Sequence, residues 1–235
     1  MKTFLYKTIA LAFISFFVAS CEQESEAEVR PLTATDSKNF GTVPGTTIIN
    51  FSEVSGFVSE VKVRKDSYTE LPVKITATYN QNGKAVKSNT ALAFDTTKPD
   101  KKNSGYTKVN NGPFRLGNVL TIGQTNGQNT TVNDKGGSLE LDFSSFGSVV
   151  MRGLYIVDIE ENERGSTLEM LDAAGRVIYK QELPVTGAYT FQPLVFGPGV
   201  AGVAKLRVNF KTKDGKGGSG AIDVIQFCPG GICAR

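Results

Sequence analysis

The chain has 235 residues, with 26 Lys and Arg against 23 Asp and Glu, 40% hydrophobic residues and no histidine. Without histidine a Ser-His-Asp triad, a histidine base and the usual zinc ligand sets are excluded. The near balance of charge gives no footprint for nucleic acid or another charged polymer, whereas a carboxylate-pair or Ser-Lys mechanism stays open on composition.

Lys2 and Lys7 charge the amino end, an apolar run spans Ile9 to Val18, and Ala19, Ser20 and Cys21 follow. That layout predicts a signal peptide over residues 1–20. Ten apolar residues make a helix of roughly 15 Å, half of a bilayer core, so a permanent span is not expected. The string Val18-Ala19-Ser20-Cys21 resembles the lipobox of bacterial lipoproteins. The resemblance implies a diacylated Cys21, cleavage before it and acylation of the new amino group; an ordinary secretory signal with a chance cysteine is the alternative. The acidic run Glu22 to Glu28 (EQESEAE) is similar to the surface-export signal of some Gram-negative lipoproteins, and reads also as a solvated spacer. Residues 21–44 are therefore expected to form a lipidated, disordered tether. The expected location is the outer membrane, with display at the cell surface favoured over a periplasmic-facing domain.

From residue 45 to 235 short apolar or alternating runs recur, divided by Gly, Asn and Asp. Strands are predicted at 46–51, 57–63, 72–79, 91–94, 118–122, 138–143, 151–159, 167–172, 176–183, 204–211 and 220–227. In SLELDF, Leu139, Leu141 and Phe143 share one face; in AKLRVNF, Leu206, Val208 and Phe210 do so. The run Asp172 to Gly175 reads as a hairpin turn, while Gly197-Pro198-Gly199 and the polar stretch from Gly123 to Gly137 read as loops. No segment carries a helical stripe. About eleven strands at this spacing predict an all-β, two-sheet jelly-roll β-sandwich. Cys228 and Cys233, in CPGGIC, are expected to pair in an oxidising compartment and to pin the carboxyl end.

The landmarks INF (49–51), LAFDTTKPD (92–100), GNVLTI (117–122), GGSLELDFSS (136–145), GLYIVDIEENERGSTLEMLDAAGRVI (153–178), VAKLRVNF (203–210) and SGAIDVIQFC (219–228) occur in an order that resembles a family of extracellular jelly-roll modules. These modules accompany PEP-CTERM-type sorting signals and are similar to carbohydrate-binding β-sandwiches. The resemblance implies an acidic residue after the first strand, here Glu53, and an Asp in the last strand, here Asp223. Two carboxylates joined by backbone carbonyls would suit a structural calcium ion; solvent-facing edge residues are the alternative. After Phe94 the chain departs from the family, with Lys98, Lys101 and Lys102 where an acidic stretch is usual.

Loops on a rigid sandwich are the expected binding rim. Tyr106 is the candidate for stacking on a sugar ring, and Asn126, Gln128, Asn129 and Asn133 are candidates for hydrogen bonds to its hydroxyls, against a plain flexible loop. Tyr155 and Tyr179 read as packing residues. Asp158, sharing a strand face with Glu160, is a candidate carboxylate for a ligand, a cation or a glycosidase pair, against an ordinary polar loop. The combined expectation is a lipid-anchored, non-catalytic module that binds glycan. A structural or adhesive protein with a protein partner is the alternative, and a carbohydrate-active enzyme comes behind both.

Overall fold

The computed structural model describes residues 45–81, 84–96, 110–111, 114–126, 129–213, 218–231 and 233. The signal peptide, Cys21, the tether, Tyr106 and Gln128 lie outside the described residues. In chain order the strands are β1 (Thr47–Ile49), β2 (Gly56–Val58), β3 (Glu60–Arg64), β4 (Glu70–Gln81), β5 (Lys84–Ser88), β6 (Ala91–Asp95), β7 (Asn110–Asn111), β8 (Phe114–Arg115) and β9 (Asn118–Thr121). They continue with β10 (Gly123–Asn126), β11 (Asn129–Val132), β12 (Gly137–Asp142), β13 (Val149–Val157), β14 (Thr167–Leu171), β15 (Val177–Glu182), β16 (Phe191–Val203), β17 (Lys205–Phe210) and β18 (Ala221–Pro229). Among the described residues the only helical pieces are two single 3-10 turns, Ser144–Phe146 and Glu161–Glu163.

Two seven-stranded antiparallel sheets form the expected sandwich. Sheet A runs β16-β13-β18-β9-β6-β2, with β1 also on β18; sheet B runs β15-β14-β17-β12-β4-β3, with β5 also on β4. From β12 on, the chain changes sheet at nearly every connection, as a jelly roll requires. Alternation fills the space between: Leu139 and Leu141 of β12, Leu206 and Val208 of β17, and Leu154 and Ile156 of β13 all lie in one core. Phe227 stands at one end of that core, with the rings of Phe143 and Phe146 set edge-on at 5.1 and 5.6 Å.

Three segments differ from the sequence reading, each for a physical reason. The predicted strand 57–63 is two strands in different sheets, broken at Ser59. Val58 and Val61 are three residues apart, an odd spacing that one continuous strand cannot bury on one face, and the break puts both into the core. Gly197-Pro198-Gly199 is not a loop but lies inside the long strand β16. This strand is the edge of sheet A, where proline's missing N–H costs no ladder bond. A Cβ on Gly199 would sit 2.5 Å from Cγ1 of Val150, so the glycine permits the close approach. Finally, the stretch after Gly123 forms a hairpin, β10 on β11, whose polar sequence hid its strands.

Other expectations hold. Asp172 to Gly175 is a tight turn, with the Asp172 amide donating to the Arg176 carbonyl at 2.9 Å. Cys228 and Cys233 form a disulfide. Tyr179 packs edge-on against Phe196.

Candidate functional site

The outer faces of the two sheets differ in character. On sheet B, Glu140 accepts from Lys205 Nζ at 2.9 Å and Arg207 Nη2 at 2.7 Å, while Glu169 pairs with Lys180 at 2.8 Å. Burial pushes the Glu140 carboxyl up, but the hydrogen bonds from Lys205 and Arg207 outweigh it and hold it below the usual range. Charges on this face neutralise one another along the ladder β12-β17-β14-β15. Such a surface is well solvated and leaves little for a ligand to satisfy.

Sheet A is different. In β13 and β18 the positions that alternate with the core residues carry a second apolar cluster: Val157 and Ala221 pack with Leu92, Phe94, Val119 and Phe191, and Tyr155 lies against them. The Tyr155 and Phe191 rings meet edge-on at 5.1 Å. Three polar side chains follow along the same pair of strands.

Asp223 is the register partner of Tyr155 and is 3% exposed. Here β18 changes partner, from β9 at Ala221 and Ile222 to β1 at Ile225 onward. The exchange is marked by Val224 at φ 47, a left-handed backbone rare for a β-branched residue. The Asp223 carboxylate accepts the freed amides of Val224 and Phe51, while its Oδ1 is buried without a partner. Burial pushes the carboxyl up to about 7, with those two amides pulling the other way. In turn the Tyr155 phenol is raised, by burial first and by the Asp223 charge second.

Gln226, 4% exposed, lies further along β18 between the core residues Ile225 and Phe227, and so points to the outer face. Its register partner is Gly153, beside the irregularity in β13 that contains Arg152. Arg152 donates from Nη1 to the Pro198 carbonyl, and its Nε is buried without a partner. A stripe of Asp223, Gln226 and Arg152 thus runs beside an aromatic floor.

At the far end of β13 a second acidic group gathers. The predicted strand overran: β13 stops at Val157, and Asp158 has φ 58, so it does not share a strand face with Glu160. Asp158 is buried and accepts from the Tyr189 amide at 2.7 Å. Burial raises its carboxyl to about 7; the Tyr189 hydrogen bond opposes this and the charges of Glu160 and Glu163 add to it. Glu163 is fully buried and accepts the amides of Glu160 at 2.8 Å and Gly220 at 3.0 Å. Burial raises its carboxyl too, against those same amides. These acids tie chain segments together: Asp158 joins β13 to the approach to β16, and Glu163 joins the β13–β14 connection to the start of β18.

The remaining predicted site residues scatter. Glu53 is exposed in the turn after β1, two residues past the Phe51 whose amide binds Asp223. Asn133 is fully buried; its Nδ2 donates to the Gly136 carbonyl at 2.8 Å and its Oδ1 has no partner, so it braces the base of the β11–β12 turn. Asn126 and Asn129 face each other in register at the tip of the β10–β11 hairpin. Among the described residues no three His, Cys, Asp or Glu side chains gather in a set that could hold a metal ion. Arg152 and Gln226 were missed by sequence reasoning. Their signal was present as polar residues inside the otherwise apolar runs VVMRGLYIV and AIDVIQF.

No family model and no curated protein matches the chain. Among solved structures it is similar to the lectin binding domain of Lectinolysin complexed with Lewis b, at 11% identity and a TM-score of 0.31 over 39% of this chain and 66% of that one. It is also similar to the enzymatically active domain of tailspike protein 4 of bacteriophage CBA120, at 15% identity and a TM-score of 0.27 over 75% of this chain and 20% of that one. The chain therefore spans less than two thirds of either neighbour, and likenesses of this size fix no ligand.

Proposed function

We propose that the protein is a non-catalytic binding module whose ligand is a glycan, held on the outer face of sheet A. One observation carries the reading. Along a single stripe Asp223 Oδ1 and Arg152 Nε are buried without a protein partner, with Gln226, 4% exposed, between them. A hydroxyl is both donor and acceptor, so a polyhydroxylated ligand suits this row of polar groups, and the Tyr155–Phe191 floor suits the apolar face of a sugar ring. The lipobox-like string Val18-Ala19-Ser20-Cys21 supports a second part of the proposal, a lipid anchor at Cys21 that holds the module at the outer membrane, facing outward.

Calcium is a proposal for the same carboxylate. The orphaned oxygen of Asp223 is a hard ligand, and Glu53 is the nearest acid past Phe51; carbonyls and water would have to supply the rest of the six to eight oxygens.

The test is a glycan array read with the full chain in detergent, with calcium and with EDTA. Binding of a defined glycan that Asp223→Asn and Gln226→Ala each weaken supports the reading; silence across the array overturns it. A melting temperature indifferent to calcium in both the wild type and Asp223→Asn removes the ion. One feature favours a protein partner instead: Val177 and Ile178 are 50% and 41% exposed on β15, the edge of sheet B. Crosslinking through that edge on intact cells, with no glycan bound, would replace the first reading with the second.

A further inference from the structure

We propose that the open edge of β15 joins a second copy of this chain, antiparallel about a two-fold axis at Gln181. The contact lies on sheet B and is independent of any ligand on sheet A. An open sheet edge is a template for another strand, and proteins guard it with proline, lysine or brevity. The other flanks of this sandwich are guarded. β16 carries Pro193 and Pro198, and β1 and β2 are three residues each. β3 and β5 present exposed Lys62, Arg64, Lys84 and Lys87. β15 ends sheet B on the other side, with β14 as its partner. Its one lysine, Lys180, is neutralised by Glu169 at 2.8 Å, and Val177 and Ile178 stand exposed at its start.

The hydrogen bonds between β14 and β15 fix what this edge offers. The Leu183 amide donates to the Ser166 carbonyl at 2.8 Å, in the register that pairs Glu182 with Thr167. In an antiparallel ladder alternate residues bond the neighbouring strand. Tyr179 and Gln181 therefore face β14, while the amides and carbonyls of Lys180 and Glu182 face outward. The register shift of this pair falls at Ile178, so the edge is regular from Tyr179 to Leu183. Self-pairing must bring outward-facing residues together, and charge then selects the register. An axis at Lys180 sets that lysine against its own copy, and an axis at Tyr179 sets it against Ile178. An axis at Gln181 sets Lys180 opposite Glu182, twice. The remaining pairs in that register match in character: Tyr179 meets Leu183, both on the core side, and Ile178 meets Pro184. The proline lies at the end of the overlap, where its missing N–H costs least. Sheet B then runs unbroken through both copies, closed as a dimer by the two-fold.

The experiment uses the full chain in detergent, with micelles in excess over protein so that two chains share one only when they bind. A short edge-to-edge contact buries little surface, so sedimentation should show a dimer with a dissociation constant on the order of 10 µM. Glu182→Lys, which sets like charges opposite each other twice, should weaken it on the order of 10-fold at an unchanged melting temperature. Gln181→Cys puts two thiols across the axis with Cα atoms about 4.5 Å apart, within disulfide reach. Cys228 and Cys233 are already bonded to each other and do not compete. Mild oxidation of Gln181→Cys should give a reductant-sensitive dimer, faster than Lys180→Cys or Glu182→Cys does. A monomer at every concentration, a Glu182→Lys dimer as tight as the wild type, or a crosslink that forms faster through Lys180→Cys than through Gln181→Cys overturns the pairing.

Discussion

Raising the pH from 5 to 8 should destabilise this protein, and Asp223 is the residue to change. Its carboxyl stands at about 7 in the fold against 3.8 when free, because burial opposes the charge. Folding therefore favours the protonated form. The associated stability is fully present below the unfolded value near 4 and is lost as pH climbs through 7. A shift of about three units corresponds to about 4 kcal/mol at most, or roughly 8–16 °C in melting temperature for a domain of this size. Asp158, also at about 7 and also buried, acts in the same direction. Carboxylates held low by cations, such as Glu140 and Glu169, gain their stabilisation as pH rises to the free value of 4.5 and keep it above, so the window from 5 to 8 isolates the buried acids Asp223, Asp158 and Glu163, all raised by burial. Urea unfolding at four pH values, in EDTA, should show the free energy falling in wild type and falling less steeply in Asp223→Asn. A wild-type curve that is flat or rises across this window, or a variant with the wild-type slope, refutes the reasoning.

Three further outcomes are expected. Glu163→Ala strands the amides of Glu160 and Gly220 and should cost about 2–4 kcal/mol by denaturant titration, whereas Glu161→Ala, on the exposed side of the same turn, should leave the unfolding midpoint nearly unchanged. Phe227→Ala removes the ring that Phe143 and Phe146 flank, and should lower stability by about 3–5 kcal/mol. Reducing the disulfide between Cys228 and Cys233 opens only a short loop and should cost about 2 kcal/mol at most, read as the melting temperature with and without reductant.

Alternation made the sandwich legible. Where one face is buried, as at Leu139 and Leu141 or Leu206 and Val208, period two in the sequence is period two in the fold. The reading failed where a strand is buried on neither rule. β16 carries two prolines and three glycines because it lies at an edge, and β10–β11 is polar because it is a hairpin outside the two sheets. Asp223 was reachable from the sequence because an acid inside AIDVIQF breaks an apolar run. Its environment was not, since the partner exchange of β18 and the left-handed Val224 arise from two separate strands meeting one. Asp158 failed for a related reason: an apolar run tells how far burial continues, and at Ile159 burial continues past the end of the strand.

On the proposed glycan reading the buried carboxylate links stability to binding, and the linkage has a sign. A ligand hydroxyl that donates to Asp223 Oδ1 favours the ionised form and draws its value down from about 7. Linkage then requires that the ligand bind more tightly as pH rises through 7, over the range in which the free protein grows weaker. A purely structural Asp223, serving only Phe51 and Val224, gives the falling stability and no pH dependence of affinity. A ligand that instead accepts from the protonated acid gives the reverse, affinity lost above 7. Isothermal titration at pH 6 and 8 therefore assigns the role of one oxygen atom. Repeating it with Asp223→Asn confirms that the slope belongs to this residue and not to Asp158, which titrates in the same range but lies beyond the end of the strand, on Tyr189.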